Sequence, residues 1–175
     1  MSRRSRRCFE AVSSTSTEPV AGCVRRAGLG DLDRLLPLWR GLLEHHADCD
    51  PAFALDADAD GALRRAASVA LQDSAWAVFV WDQSGSLGGF CAAHIESSPA
   101  GVRERARAEI TEIAVEPELR RRAVGRTLAQ AALDWAAARG AGRVEVRVAV
   151  RNPDGQGFWH ALGFGNFVDV LERRL

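Results

Sequence analysis

The stretch from Arg107 to Asn152 constrains the fold of this chain more than any other. "RAEITEIAVEP" (107–117) alternates polar and apolar residues, as a half-buried strand does, and stops at a proline. A loop over 116–122 follows. Residues 124–139 then carry Leu128, Ala131, Ala132 and Trp135 at helical spacing, and Gly140 ends the pattern. "GRVEVRVAVRN" (142–152) alternates again. Strand, helix and strand in this order read as a helical crossover onto one sheet.

The junction inside this unit is chemically distinctive. "PELRRRAVGRTLAQ" (117–130) sets Arg120, Arg121, Arg122 and Arg126 around Ala123-Val124-Gly125. A helix start exposes unpaired backbone N–H groups and the positive end of the helix dipole. Small residues there let an anion approach the backbone, and arginines add charge for a phosphate. The pattern is neither the GxxxxGK[ST] nor the GxGxxG phosphate loop. A solvated helix face is the alternative reading of the same residues.

Composition decides how much weight the arginines carry. The 175-residue chain has 23 basic and 23 acidic residues, so its formal net charge is zero. That balance, without an aromatic-rich basic face, argues against a nucleic-acid-binding module. Every basic residue is Arg and Tyr is absent. We read this as a GC-rich, bacterial coding bias in which Arg also does the solubilising work of Lys. The arginines are therefore the least diagnostic part of the junction.

Cys8, Cys23, Cys49 and Cys91 are far apart, with no CxxC pair, so neither structural metal nor a disulfide scaffold is expected, and a reducing cytoplasm is. No apolar run approaches the roughly 18 residues of a membrane span. Residues 1–22 are Arg-rich, then Ser/Thr-rich, and read as a disordered tail or an overextended start, with a transit peptide as the alternative. One domain over 23–175 is expected.

The rest of that domain reads as a strand at 23–28 and a helix at 30–46 that begins at Asp31 and has a kink or late start at Pro37. An acidic loop (47–60), a helix (61–73) and a hairpin of strands (74–82 and 87–98) follow. After the crossover come a short helix in "NPDGQGFWHALGFG" (152–165), ended by Gly163, and a terminal strand at 167–175. The order β-α-α-β-β-β-α-β-α-β is α+β, a mixed and mostly antiparallel central sheet sandwiched by helices.

Three features in register resemble the GNAT superfamily of acyl-CoA-dependent N-acetyltransferases. The junction fits the family's Arg/Gln-x-x-Gly-x-Gly/Ala loop as Arg120-Arg121-Arg122-Ala123-Val124-Gly125. The second signature, Asn-x-x-Ala-x-x-Phe-Tyr-x-x-x-Gly-Phe, is matched by Asn152, Phe158, Gly163 and Phe164. The order of elements from Cys23 onward agrees as well. The resemblance implies helices on both faces of the sheet and transfer of acetyl from acetyl-CoA to a primary amine by direct attack in a ternary complex. A non-catalytic acyl-CoA-binding or sensing domain is the alternative. The acetyltransferase resemblance further implies no metal, a cytoplasmic enzyme and exposed terminal strands of the kind that make homodimers in this family.

By the same resemblance, the backbone of Ile113, Ala114 and Val115 pairs with the pantetheine amides, as a peptide adds to a sheet edge. The backbone N–H groups of Arg122, Ala123, Val124, Gly125, Arg126 and Thr127 hold the pyrophosphate. Of Arg120, Arg121, Arg122 and Arg126, one or two are expected only to be solvated. Asn152 and Trp159 belong to the cofactor side. Glu112 and Glu109 are both candidates for the base that deprotonates the amine. On a regular strand they face opposite ways, unless a bulge intervenes. His94, Glu44, His45, His46, Asp48, Asp50 and Asp56 are acceptor-side candidates.

Two positions depart from the family pattern. Ala123 stands at the usual first Gly; if that position needs a positive φ, the methyl group costs about 1–2 kcal/mol. Trp159 stands at the Tyr whose hydroxyl protonates the leaving thiolate in many members, and an indole N–H has no accessible acidity for that task.

Overall fold

The computed structural model describes residues 21–98, 100–103 and 106–173. The expectation for residues 1–22 falls almost wholly outside them. Five strands and four helices run in the order β1 (Cys23–Arg26), α1 (Leu32–Cys49), α2 (Ala59–Gln72), β2 (Trp76–Gln83), β3 (Ser86–Ser97), β4 (Ala106–Val115), α3 (Val124–Ala138), β5 (Val144–Val146) and α4 (Pro153–His160). The strands lie side by side in chain order. β1 to β4 are antiparallel, and β5 joins β4 in parallel through the α3 crossover.

Alternation along the strands sends side chains to two separate cores. Val78, Val80, Phe90 and Ala92 pack under α1 and α2 with Leu35, Leu38, Trp39, Leu63 and Ala67. Trp81, Cys91, Ala93 and Ile110 pack under α3 and α4 with Val124, Leu128, Ala132 and Trp159. Helices therefore cover both faces, as the pattern implied. On α3 the deepest positions are Leu128, Ala129, Ala132 and Ala136, a stripe turned slightly from the one read in the sequence.

Asp31 does stand at the start of α1, but its carboxylate turns back. It accepts from Gly28 N–H at 3.0 Å and pairs with Arg25 at 2.8 Å and Arg34 at 2.6 Å, while Arg25 also holds Asp82 of β2 at 2.8 Å. The Arg25 hydrogen bond, foremost, lowers the Asp31 pKa to about 2 against the opposing cost of burial. α1 is continuous from Leu32 through Pro37, so the late start is not seen, and the missing N–H of Pro37 removes one intrahelical bond.

Two expectations at the C-terminal end are corrected. The strand read at 142–152 is ordered as strand only over Val144–Val146, because its pairing with β4 ends at Ile110. Residues 167–173 form no strand, although "FVDVL" alternates. Phe167, Val168, Val170 and Leu171 are exposed, and no described strand lies beside them. β-propensity alone does not make a strand, since a strand needs a ladder partner for its backbone.

Candidate functional site

The site is organised by one irregularity in β4. Cys91 faces Ile113 and Ala92 faces Glu112, but Ala93 faces Ile110, so Thr111 is an extra residue without a partner. This is a β-bulge, and it resets the alternation. Glu112, opposite Ala92, and Glu109, opposite His94, consequently share the α1/α2 face of the sheet. The bulge overturns the opposite orientation expected of a regular strand.

The two carboxylates then differ in their surroundings. Glu109 is paired with Arg147 at 3.3 Å. Glu112 has no ion pair among the described residues. The Thr111 hydroxyl donates to its carboxylate. Burial raises the Glu112 pKa, opposed by the Thr111 hydrogen bond and by His94, and Glu109 adds to the rise. Glu112 also lines a cavity of about 380 Å³ with Trp39 and Leu43 of α1, Leu55 and Asp56 of the following loop, and Leu63 of α2. A carboxylate with a raised pKa in a cleft is suited to proton abstraction near neutral pH.

His94 lies farther along the same face, stacked on Trp76 with ring centroids 4.6 Å apart. Its Nε2 lies 2.7 Å from Glu96, which also pairs with Arg107. The ligand atoms of His94, Glu96 and Glu109 fall within 4.8 Å of one another, a grouping the sequence reading did not make. Arg107 and Arg147 compete there with any cation for the two carboxylates.

On the other side of Glu112, β5 pairs only with Ala108, Glu109 and Ile110 of β4. From Thr111 to Val115 the outer edge of β4 has no partner strand among the described residues. Glu116 N–H bonds Gly88 of β3, so by ladder alternation Ala114 also points its backbone groups to β3. Ile113 and Val115 point theirs to the open side. Of the three residues expected to meet pantetheine through the backbone, Ala114 turns its groups inward and these two turn theirs outward, with Val115 O also accepting from Arg120 Nε.

The open edge leads into the first turn of α3. Among the described residues, the N–H groups of Arg122, Ala123, Val124, Gly125 and Arg126 have no hydrogen-bond partner in the chain. Thr127 N–H differs from the expectation: it is taken by Ala123 O at 2.9 Å, because helical bonding has begun there, and the Thr127 hydroxyl bonds the same oxygen at 3.0 Å. Ala123 has φ 64°, and Arg121 has φ 59°. The position where the family has Gly does require left-handed backbone, and Ala adopts it at a cost. A side chain on Gly125 would place Cβ 3.3 Å from Phe158 of α4 and 3.6 Å from Val115, so a small residue keeps the helix start against both. Arg120 turns back, its Nε donating to Val115 O at 3.0 Å. Arg121, Arg122 and Arg126 are exposed, with no ion pair among the described residues.

The second signature has a clear local role. Asn152 caps α4, its Oδ1 accepting from Gly155 N–H at 2.9 Å. A Cβ at Gly155 would lie 2.8 Å from Asn152 Nδ2, so Gly keeps this cap uncrowded. Trp159 is buried and makes edge contacts with Phe158 and Phe164 at 4.9 and 5.0 Å between ring centroids. It is part of the wall beneath α3.

The remaining acceptor-side candidates separate. Glu44 pairs with Arg40, His45 approaches Cys49, and His46 packs by Phe53 with its pKa lowered by burial and then by His45. Asp50 caps the turn at Ala52 and meets Arg151 at 3.3 Å. Asp48 is exposed at the end of α1 and makes no contact with the cavity. Only Asp56 reaches the cavity. The sequence reading missed Thr111 and the apolar cavity wall, whose residues look like ordinary core positions in a helical pattern.

Comparison with known proteins agrees with this geometry. No curated relative matches the sequence. The chain is similar in structure to a tetramutant of the BH1408 protein from Bacillus halodurans, with TM-score 0.78 and 20% identity over 87% of this chain and 99% of that one. It is also similar to aminoglycoside N-acetyltransferase AAC(6')-Iy in complex with CoA, with TM-score 0.69 and 24% identity over 90% and 98%. A third likeness is to apo aminoglycoside 6'-N-acetyltransferase AAC(6')-IG from Acinetobacter haemolyticus, with TM-score 0.70 and 17% identity over 87% and 97%. At these identities the likenesses establish the fold. The sequence pattern of the Acetyltransferase (GNAT) family matches residues 39–164, from the cavity wall on α1 through the Phe that closes the second signature, and the chain belongs to that family.

Proposed function

We propose that this protein is an N-acetyltransferase that moves an acetyl group from acetyl-CoA to a primary amine by direct attack in a ternary complex. The observation that carries the reading is the position of Glu112. It lies on β4 between an open strand edge that ends in a free helix start and a cavity on the opposite side.

The residues present fit acetyl-CoA. The outward backbone of Ile113 and Val115 supplies a donor–acceptor edge for the pantetheine amides. The unpartnered N–H groups of 122–126 and the exposed Arg121, Arg122 and Arg126 suit the pyrophosphate. Bound there, the thioester supplies the activated acetyl carbon.

Glu112 takes a proton from the acceptor ammonium, and the freed nitrogen lone pair attacks the thioester carbonyl. The C–N bond forms as the C–S bond breaks. The sulfur leaves as thiolate and takes its proton from water, because Trp159 stands at the Tyr position and no Tyr exists in the chain. The second amine proton returns to solvent. Glu109, held by Arg147, is the weaker candidate for the base.

Release of CoA thiol from acetyl-CoA with a panel of primary amines tests the reading. Absence of turnover with every amine by protein that binds CoA in calorimetry would overturn it. That result would instead support a non-catalytic acyl-CoA-binding domain, the second reading, which Trp159 and Ala123 favour.

A further inference from the structure

The cavity beside Glu112 bears on which amine is acetylated. α1 contributes Trp39 and Leu43, the loop Ala54 and Leu55, and α2 Ala59, Ala62, Leu63 and Ala66. Among the described residues, the charged side chains on its wall are the carboxylates of Glu112 and Asp56, and Trp39 adds one indole N–H. Trp39 is fixed by Phe90, 5.1 Å away between ring centroids, so the aromatic wall is braced by the core. Ala62 and Ala66 lie one helical turn apart and are solvent-accessible, so α2 presents methyl groups there and leaves the volume open.

The volume of about 380 Å³ is at the lower end of the roughly 300–1,000 Å³ of small-molecule sites. An apolar body gains from leaving water against such a wall. A polyhydroxylated or polycationic acceptor does not, because each buried hydroxyl or ammonium needs a partner and the wall offers two carboxylates in all. Glu112 accepts the reacting ammonium, and Asp56, exposed at the rim, adds attraction for a cation on entry.

Resting on the acetyltransferase reading, we propose that the acceptor is a monocationic primary amine on an apolar body, of the arylalkyl or branched alkyl class. This sets the chain apart from the aminoglycoside N-acetyltransferases whose fold it shares.

The test is calorimetric titration of CoA-saturated protein with phenethylamine, spermidine and kanamycin, with acetyl transfer followed on the same amines. Phenethylamine is expected to bind at least about 10-fold more tightly than either of the others. Ala66→Phe, which fills the cavity from an exposed helix position, is expected to lower phenethylamine affinity about 10-fold or more. Val69→Ala, on the outer side of α2, leaves it unchanged. Should Ala66→Phe fail to fold, Ala62→Glu is the second variant. It places a third carboxylate on the wall and is expected to shift preference toward spermidine.

Equal or tighter binding of spermidine or kanamycin, no binding of phenethylamine, or indifference to Ala66→Phe and Ala62→Glu overturns the proposal. Phenethylamine that binds as expected and is never acetylated overturns the acetyltransferase reading instead, so the two failures are distinguishable.

Discussion

The two faces of the sheet are built in different ways. Under α3 and α4, the open edge of β4, the left-handed Ala123 and the free helix start follow one another within Ile113 to Arg126, and the Asn152 cap comes later in the same half of the chain. Under α1 and α2, the cavity joins residues from Trp39 to Ala66 with Glu112, which lies on a strand more than forty positions later. The first face is a local arrangement of backbone groups. The second exists only when two helices and a loop close over the sheet. A site of the first kind tolerates side-chain drift provided the backbone keeps its course, and one of the second kind changes specificity with single side chains. Glu112 is the one candidate catalytic group that borders both.

The largest expected effect breaks the comparison at that point. Glu112→Gln should lower kcat/KM by about 10²–10⁴-fold, while acetyl-CoA affinity from calorimetry stays within about twofold. Glu109→Gln should lower it by less than about 10-fold, since its carboxylate is already engaged by Arg147. The pH dependence has a definite sign. The base works when ionised, and burial raises its pKa, so kcat/KM should rise with pH through a value above the ordinary carboxylate range. The same shift acts on stability in the opposite sense. As pH rises past the ordinary Glu value, the unfolded chain releases this proton while the folded one resists, so the native state loses stability. Glu112→Gln should therefore melt at a higher temperature than wild type at pH 8, with the difference vanishing near pH 4.

Next in size is a change outside both faces. Asp31→Ala removes the carboxylate that joins Arg25, Arg34 and the start of α1, and urea unfolding at pH 7 should show a loss of about 1–2 kcal/mol. The Asp31 pKa is lowered to about 2, so in wild type this contribution is complete above about pH 4 and disappears as pH falls toward 2. A flat wild-type profile over that interval would show that the cluster is incidental.

The smaller effects sharpen the first face. Ala123→Gly relieves left-handed backbone at the helix start, and the greater freedom of the unfolded chain offsets part of the gain. A net rise of about 1 kcal/mol in stability is expected, with CoA bound several-fold more tightly. Unchanged or weaker CoA binding would show that the methyl group is no obstacle to the ligand. Smallest of all, Arg121→Ala and Arg122→Ala should each weaken CoA binding about 3–10-fold, and less so at high salt. Arg120→Ala should act less through the phosphates, because its Nε is committed to Val115 O. Equal losses for all three would place Arg120 at the phosphates as well.

Much of this is legible in the chain itself. Alternation in 107–117, the stripe from Leu128 to Trp135 and the short helix read in 152–165 are short-range patterns, and each produced the element it suggested. Three things were not legible for physical reasons. The bulge at Thr111 is one residue, and nothing about Thr next to Glu distinguishes it from a regular strand. The cavity wall of Trp39, Leu43, Leu63 and Ala66 reads as core in a 3.6-residue period, because periodicity reports which face is apolar and not what lies against it. Residues 167–175 were read as a strand from their own residues, whereas strand formation depends on a neighbour.

The sequence by itself determined the two helical layers, the mixed sheet between them and the small-residue helix start, since hydrophobic periodicity and the chemistry of chain ends act within a few residues. Tertiary structure alone decided that Glu109 and Glu112 share a face, that Arg120 turns back to the strand while Arg121 and Arg122 face solvent, and that Glu112 borders an apolar cavity. The first and the last of these depend on the register between β3 and β4, where one extra residue inverts every side chain beyond it. Pairing across strands sets that register, and no local pattern in either strand records it.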